Sequence, residues 1–185
     1  MPYLKISYDD IVFDQEVYSY CINPKFKCPY YGNNWSCPPA APFLKVKLSN
    51  FKIFYIIYYK FDIKSYIKKK REENPQYSEE KIRFLLIHEN LINLKTNLEI
   101  NKFIEEYDGD YDECMIIWPE TCKICLNEGK NCTYVKNIPC RYSEKMRYHM
   151  TGAGINTHET ASKLNIGLEW PPTNYEYRFG LVCLK

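Results

Sequence analysis

The sequence predicts an α+β fold, a single small domain over residues 1–185 with a short mixed sheet, one long helix and cysteine-bearing loops. Three observations support it: two runs of β-branched and aromatic residues, one long amphipathic pattern, and nine cysteines that fall mainly in loops. With 185 residues, of which 45% are hydrophobic, the chain can bury one core. A small α/β sheet is the alternative architecture.

The first third of the chain contains strands and a loop. Residues 3–20 alternate loosely between apolar and polar side chains, which predicts two short strands with a turn at Asp9-Asp10. The proline-rich segment of about 21–42 excludes a continuous helix or central strand and predicts an ordered, cysteine-bearing loop. Residues 51–61 are β-branched and aromatic throughout, so we expect a central strand that is buried on both faces.

A helical pattern follows. Ser78 fits the N-cap of one amphipathic helix that reaches about Tyr107. Residues 113–118 predict a second buried strand, which leads directly into a second cysteine loop at about 119–147. The last predicted elements are a short helix over 157–164 and a strand over 177–184.

The charge balance does not favour nucleic acid or an anionic membrane as a partner, because the net charge is only +2. Glutamates offset the basic run from Lys64 to Arg71, so this run predicts a solvated helix surface. The chain starts without a secretory signal and contains no membrane-spanning apolar stretch, so we expect a cytoplasmic location. Thiols stay reduced there, and an odd number of cysteines cannot pair completely, so metal ligation explains them better than disulfides.

Four cysteines form what we term the downstream thiol group: Cys122, Cys125, Cys132 and Cys140. Their spacing lacks the second close pair of a zinc ribbon, and no histidine lies within the set. A [4Fe-4S] cluster takes four thiolates and tolerates irregular spacing, so the spacing favours iron-sulfur over zinc. Arg141 is expected either to stabilise the charge of the bound cofactor or to pair with Glu144 or Glu128 at the surface.

Three cysteines form the upstream thiol group: Cys21, Cys28 and Cys37. The sequence leaves three interpretations open: a second [4Fe-4S] cluster with one iron that lacks a protein thiolate, a site completed by Cys114 or Cys183, or ligands shared with the downstream group. An iron without a protein thiolate can bind water or substrate and act as a Lewis acid.

Cys114 and Cys183 lie in predicted strands among apolar residues, which is typical of core cysteines. The three histidines, His88, His149 and His158, have no spacing that indicates a pair of nucleophile and base.

Several segments together carry a family resemblance: Cys28-Pro-Tyr-Tyr-Gly32, Trp35-Ser-Cys37-Pro38-Pro39, Pro139-Cys140-Arg141, Glu144-Lys145-Met146-Arg147, Met150, Gly154-Ile155-Asn156 and Gly180-Leu181-Val182. In this order, and over nearly its whole length, the chain resembles the prokaryotic predicted metal-binding proteins classed as domain of unknown function 2284. The resemblance implies metal binding by the cysteines, with iron-sulfur as the expected form, and it implies no reaction. The chain departs from the family pattern at Tyr142-Ser143 and in the wide separation of Cys125 from Cys132.

The sequence therefore predicts an iron-sulfur protein with one or two [4Fe-4S] clusters that transfers electrons to a redox protein partner. An enzyme that uses an open iron of the upstream group is one alternative, and a zinc-stabilised interaction module is another.

Overall fold

The computed structural model describes residues 3–24, 26–169 and 171–185, and of these the side chains of all but Phe26 and His88. Its strands are β1 (Tyr3–Ile6), β2 (Ile22–Asn23), β3 (Phe26–Lys27), β4 (Ile53–Asp62), β5 (Cys114–Trp118), β6 (Tyr148–His149) and β7 (Tyr175–Leu184). Its α-helices are α1 (Lys45–Leu48), α2 (Ile63–Glu73), α3 (Glu79–His88), α4 (Leu91–Glu106), α5 (Ile124–Asn127) and α6 (Thr157–Lys163). Helices and a five-stranded mixed sheet in one small domain confirm the predicted α+β class.

The main sheet has the strand order β1-β4-β7-β5-β6. The pair of β4 and β7 is antiparallel and runs from Ile53 opposite Leu184 to Asp62 opposite Tyr175. The prediction that residues 51–61 form the central strand is therefore wrong in position: β4 is an interior strand, and β7 lies in the middle. The last six residues of β7 are all buried, so the C-terminal strand forms the centre of the sheet.

The sheet is covered on both faces. Successive side chains of a strand point to opposite faces, so Cys183 joins one core cluster while Val182 and Leu184 join another beneath α4. Helix α4 approaches β7 closely at Gly180, where a Cβ atom would overlap the side chain of Ile100. A third apolar cluster, between α2, α3 and the far end of β4, closes the domain at that end.

The predicted single helix over 78–107 is wrong, because the chain turns at Asn90 between α3 and α4. Asn90 adopts a left-handed backbone conformation with φ of 54°, which asparagine tolerates better than most residues. Its side-chain amide donates to a carboxylate oxygen of Glu120 at 3.0 Å, just after β5. The hydrogen bond from Asn90, at the break between α3 and α4, therefore connects the helices to the start of the second cysteine loop.

The N-terminal prediction is half right. Strand β1 is present, but the second predicted strand is replaced by 3₁₀ helices over residues 8–10 and 15–21. The Asp14 side chain accepts a hydrogen bond of 2.8 Å from the backbone amide of Glu16, which starts a helical turn instead of an extended strand. Residues 157–163 are helical as predicted.

The parallel pair of β5 and β6 positions the cysteine loops. Because parallel strands end at the same edge of a sheet, the segment after Trp118 and the segment after His149 leave the sheet side by side. None of the helices in the described part of the chain is both long and apolar enough to span a membrane.

Candidate metal centre

The downstream thiol group surrounds one cavity of about 300 Å³, which we call the downstream cavity. All four of its cysteines, Cys122, Cys125, Cys132 and Cys140, line this cavity and are partly exposed. The short helix α5 carries Cys125 and ends at Asn127. Gly129 then reverses the chain, with a φ of +70° and a hydrogen bond from its backbone amide to the carbonyl of Leu126. The reversal returns Cys132 to the same cavity, so its wide separation from Cys125 is bridged by a tight turn.

The donor atoms of the downstream cavity are soft. Among the described residues that line it, there is no carboxylate and no imidazole, so the thiols are its only strong ligands for a transition metal. No three His, Cys, Asp or Glu side chains in the described part of the chain converge closely enough to hold a single metal ion. The four thiols are instead spread around the wall of the cavity.

Arg141 faces the downstream thiol group. Burial raises the pKa of Cys125, while the positive charge of Arg141 and a hydrogen bond from it lower that pKa. Arg141 also donates to the backbone carbonyl of Asn131 at 3.4 Å. Glu128 binds Lys130 at 2.8 Å and the hydroxyl of Tyr142, and the positive charge of Arg141 also lowers the pKa of Glu128. The role of Arg141 towards a bound cofactor stays a prediction.

The upstream thiol group is assembled by a very short hairpin and a turn. Strands β2 and β3 pair Ile22 with Lys27, and the amide of Cys28 donates to the carbonyl of Cys21 at 2.8 Å. These pairings place Cys21 and Cys28 side by side at the base of the hairpin. The pKa of Cys21 is raised by burial and by the neighbouring Cys28 thiol.

Cys37 differs from the other ligand candidates because it is buried, with only 3% of its surface exposed. Burial raises its pKa to about 11, and the negative charge of the Cys28 and Cys21 thiolates acts in the same direction. The hydroxyl of Thr121 at 3.6 Å and Nε2 of His149 at 3.7 Å face its sulfur, and hydrogen bonds with the side chains of Thr121 and Ser36 lower its pKa. Burial lowers the pKa of His149 to about 4, so this imidazole is neutral near pH 7.

The two cysteine loops are bound directly to each other. The side-chain oxygen of Asn34 accepts from the amide and the hydroxyl of Ser36, and its side-chain amide donates to the carbonyl of Cys122 at 2.9 Å. The amide of Cys122 in turn donates to the hydroxyl of Ser36 at 3.3 Å. The Trp35 indole donates to the carbonyl of Ile138 at 3.0 Å, so three consecutive residues of the first loop contact the second.

The remaining cysteines lie in the sheet. Cys183 is completely buried, and Cys114 is half-buried against the cluster beneath α4. Burial raises the pKa of both thiols, and Cys114 further raises that of Cys183. Cys114 lies in β5 and Cys183 lies in β7, the strands in which the sequence predicts them.

Sequence reasoning missed the residues that support the thiols. Asn34, Ser36 and Thr121 are small polar residues without a spacing pattern, so no sequence signal identified them. For His149 a signal existed, because it follows the Pro-Cys-Arg motif closely, but its contact with Cys37 depends on the pairing of β5 with β6.

A second, larger cavity of about 940 Å³ is lined by His149, which contacts Cys37, but not by the upstream cysteines themselves. His149 lines it, together with Tyr20 and Asn23 near the hairpin, and with Tyr177 and Arg178 of β7. The imidazole of His149 thus lies between the sulfur of Cys37 and this cavity.

Searches among curated proteins and among solved structures found no match. The family model described as predicted metal-binding protein (DUF2284) matches residues 4–184. Because this match covers nearly the whole chain, the chain belongs to this family of predicted metal-binding proteins.

Proposed function

We propose that this protein binds a [4Fe-4S] cluster at the downstream thiol group and a second one at the upstream thiol group, and that it transfers electrons. The observation that carries the proposal is the arrangement of Cys122, Cys125, Cys132 and Cys140 around one cavity. A [4Fe-4S] cluster bound by such thiolates supplies one-electron redox chemistry.

The chemistry of the donors supports iron-sulfur over zinc. A structural zinc site needs four ligands about 2.3 Å from one ion, which requires the four sulfur atoms to converge. In this chain the thiols are distributed around a cavity of about 300 Å³, an arrangement that suits a polynuclear cofactor. Arg141 would hold positive charge next to Cys125, where thiolates and cofactor bring negative charge.

The hydrogen bonds between the two loops suit electron transfer between two neighbouring metal centres. Asn34 and Ser36 fix the loop that contains Cys37 against the backbone of Cys122. Motion of one loop relative to the other would break buried hydrogen bonds, so the separation of the two thiol groups is held constant.

The surface beside the downstream cavity suits an acidic redox protein as the partner. Residues 119–147 contain six Lys and Arg against three Glu, whereas the whole chain has a net charge of only +2. Three apolar side chains in this loop, Leu126, Val135 and Ile138, are each more than half exposed. An apolar patch within a cationic loop favours a partner that has an acidic rim around its own redox centre. We place this electron transfer in the cytoplasm, where thiols remain reduced.

Anaerobic purification followed by quantification of iron, sulfide and zinc, with EPR of the reduced protein, tests the proposal. We expect about eight iron atoms and an equal amount of sulfide per chain for two clusters. About four iron atoms would restrict the proposal to the downstream group. Zinc with negligible sulfide would refute it and support the zinc-stabilised interaction module instead.

A second candidate is an enzyme that uses an open iron at the upstream group, and the 940 Å³ cavity beside His149 and Cys37 favours it. A substrate in this cavity would lie next to His149, whose Nε2 faces the sulfur of Cys37 in the thiol group that lacks a fourth cysteine. Adding cyanide to the purified protein distinguishes the candidates. A shift of the EPR spectrum of the upstream cluster supports the enzyme, and an unchanged spectrum supports a closed electron carrier.

A further inference from the structure

The imidazole of His149 is fixed between a sulfur atom and a backbone amide. Its Nε2 lies 3.7 Å from Sγ of Cys37, and its Nδ1 lies 3.4 Å from the backbone nitrogen of Gly152. Strand β6 holds the backbone of His149 by its pairing with Trp118 of β5. The two contacts use both nitrogen atoms of the ring.

The contact with Gly152 determines which nitrogen carries the proton. A backbone N–H can only donate a hydrogen bond, so Nδ1 of His149 must accept with its lone pair. The neutral ring then has its hydrogen on Nε2, the atom that faces Cys37. The imidazole therefore presents an N–H donor to the sulfur.

We propose that His149 donates a hydrogen bond to the sulfur of Cys37 and thereby sets the reduction potential of the upstream centre, without serving as its fourth ligand. A metal ligand at this position would need the Nε2 lone pair and hence a hydrogen on Nδ1. That hydrogen would point at the N–H of Gly152, so ligation would replace a hydrogen bond with a clash of two donors.

The packing around Gly152 keeps the ring in place. A Cβ atom at Gly152 would lie 2.8 Å from Nε2 of His149 and 2.6 Å from the carbonyl oxygen of Ser36. Only glycine therefore allows the turn after β6 to lie against both the imidazole and the cysteine loop. This arrangement fixes the donor before any metal binds, which is the condition for tuning a sulfur ligand.

The donor should raise the reduction potential, because a hydrogen bond to a cluster sulfur stabilises the reduced and more negative state. The inference rests on the proposed function in one respect, namely that Cys37 binds the upstream centre. The assignment of the donor itself depends only on the contacts with Cys37 and Gly152.

The first test is redox titration of His149→Leu, monitored by EPR. We expect the equilibrium constant for reduction of the upstream centre to fall about tenfold, equivalent to about 59 mV for one electron, with the downstream centre unchanged. His149→Gln retains an N–H donor and should recover most of the shift. The matched control is His158→Leu, an exposed histidine of α6, which should leave both potentials unchanged. Equal potentials in wild type and His149→Leu would overturn the proposal.

The second test does not depend on which metal is bound or on how a variant folds. NMR of the wild-type protein as purified, labelled with ¹⁵N-histidine, identifies the protonated nitrogen of His149. Hydrogen on Nε2 supports the inference, even if the bound metal is zinc and the proposed function fails. Hydrogen on Nδ1, with Nε2 bound to a metal, would overturn the inference and assign His149 as the fourth ligand.

Discussion

The two thiol groups differ in how their sulfur atoms are surrounded. The downstream group lines an open cavity, its thiols are partly exposed, and the cation of Arg141 acts on Cys125. The upstream group contains the buried Cys37, whose polar neighbours are neutral. The difference shows that two cysteine loops in one small domain can offer a bound cofactor a full charge in one place and hydrogen-bonding dipoles in the other.

The two groups also differ in what gives them order. The downstream loop follows β5 directly and contains the short helix α5. The upstream loop contains the two-residue strands β2 and β3 and backbone turns such as the one from Cys37 to Ala41. Asn34, Trp35 and Ser36 bind it to the downstream loop. The upstream group therefore depends on its neighbour, and variants of the downstream loop should disturb both groups more than variants of the hairpin do.

The largest effect is expected from Cys125→Ser. Loss of this thiolate should remove the downstream cluster, disturb the upstream one, lower the iron content by at least half and lower the melting temperature, because metal binding and folding are coupled. Iron and sulfide analysis and thermal unfolding under anaerobic conditions measure both effects. The matched control is Cys114→Ser, a thiol in β5 outside both groups, which should retain full iron content.

A comparison with Cys28→Ser tests whether the upstream group depends on the downstream loop while the downstream group does not depend on the hairpin. This variant should lose only the upstream cluster and leave the EPR signal of the downstream cluster intact, because Cys28 does not line the downstream cavity. Full iron content in Cys125→Ser would refute the ligand assignment, and loss of both clusters in Cys28→Ser would refute the one-way dependence.

The second largest effect is expected from Asn34→Ala, which removes one of the connections between the two loops. The carbonyl of Cys122 and both donor groups of Ser36 lose buried partners, so the free energy of unfolding should fall by about 3 kcal/mol. Denaturant unfolding measures the change. Asn33→Ala is the control: its side chain is exposed and makes one hydrogen bond, to Pro29, so we expect a loss below about 1 kcal/mol. Equal losses in both variants would show that Asn34 does not connect the loops.

The sequence could predict strands β4, β5 and most of β7, and the positions of the two cysteine loops, because these depend on local patterns. Strand β5 and the long strand β7 follow from runs of apolar side chains, and the ligand loops follow from cysteine and proline spacing. The family resemblance also required only the order of short motifs along the chain.

The other features depend on contacts between distant residues. The break at Asn90 is stabilised by Glu120, and the position of β7 in the sheet depends on its two partner strands. His149 reaches Cys37 across 112 positions of sequence, which no spacing rule covers. Periodicity therefore predicts which residues are helical or extended, whereas long-range hydrogen bonds decide where helices end and which side chains face a sulfur.

A smaller effect is expected from Arg141→Gln, which tests the charge difference between the two groups. Removing a partly solvated cation beside Cys125 should cost about 1 kcal/mol of electrostatic stabilisation, equivalent to roughly 40 mV for one electron. The potential of the downstream centre should therefore decrease while that of the upstream centre stays constant. Lys136→Gln, an exposed cation of the same loop, is the control. Equal shifts at both centres would mean that Arg141 acts through the overall charge of the protein.

The smallest effect is expected from Glu169→Gln, which tests how acid destabilises the fold that holds the two thiol groups. Hydrogen bonds from the backbone amide of Asn174 and the hydroxyl of Thr173, both 2.7 Å long, lower the pKa of Glu169 from 4.5 to about 2. Because the folded pKa is the lower one, this stabilisation is complete above about pH 4.5 and is lost as the pH falls through about 2. Glu169→Gln should therefore lose less stability than wild type between pH 5 and pH 2, measured by thermal unfolding at each pH with Glu99→Gln of α4 as the control. If the wild-type and Glu169→Gln curves stay parallel over this range, Glu169 does not contribute to the loss of stability in acid, and the prediction is wrong.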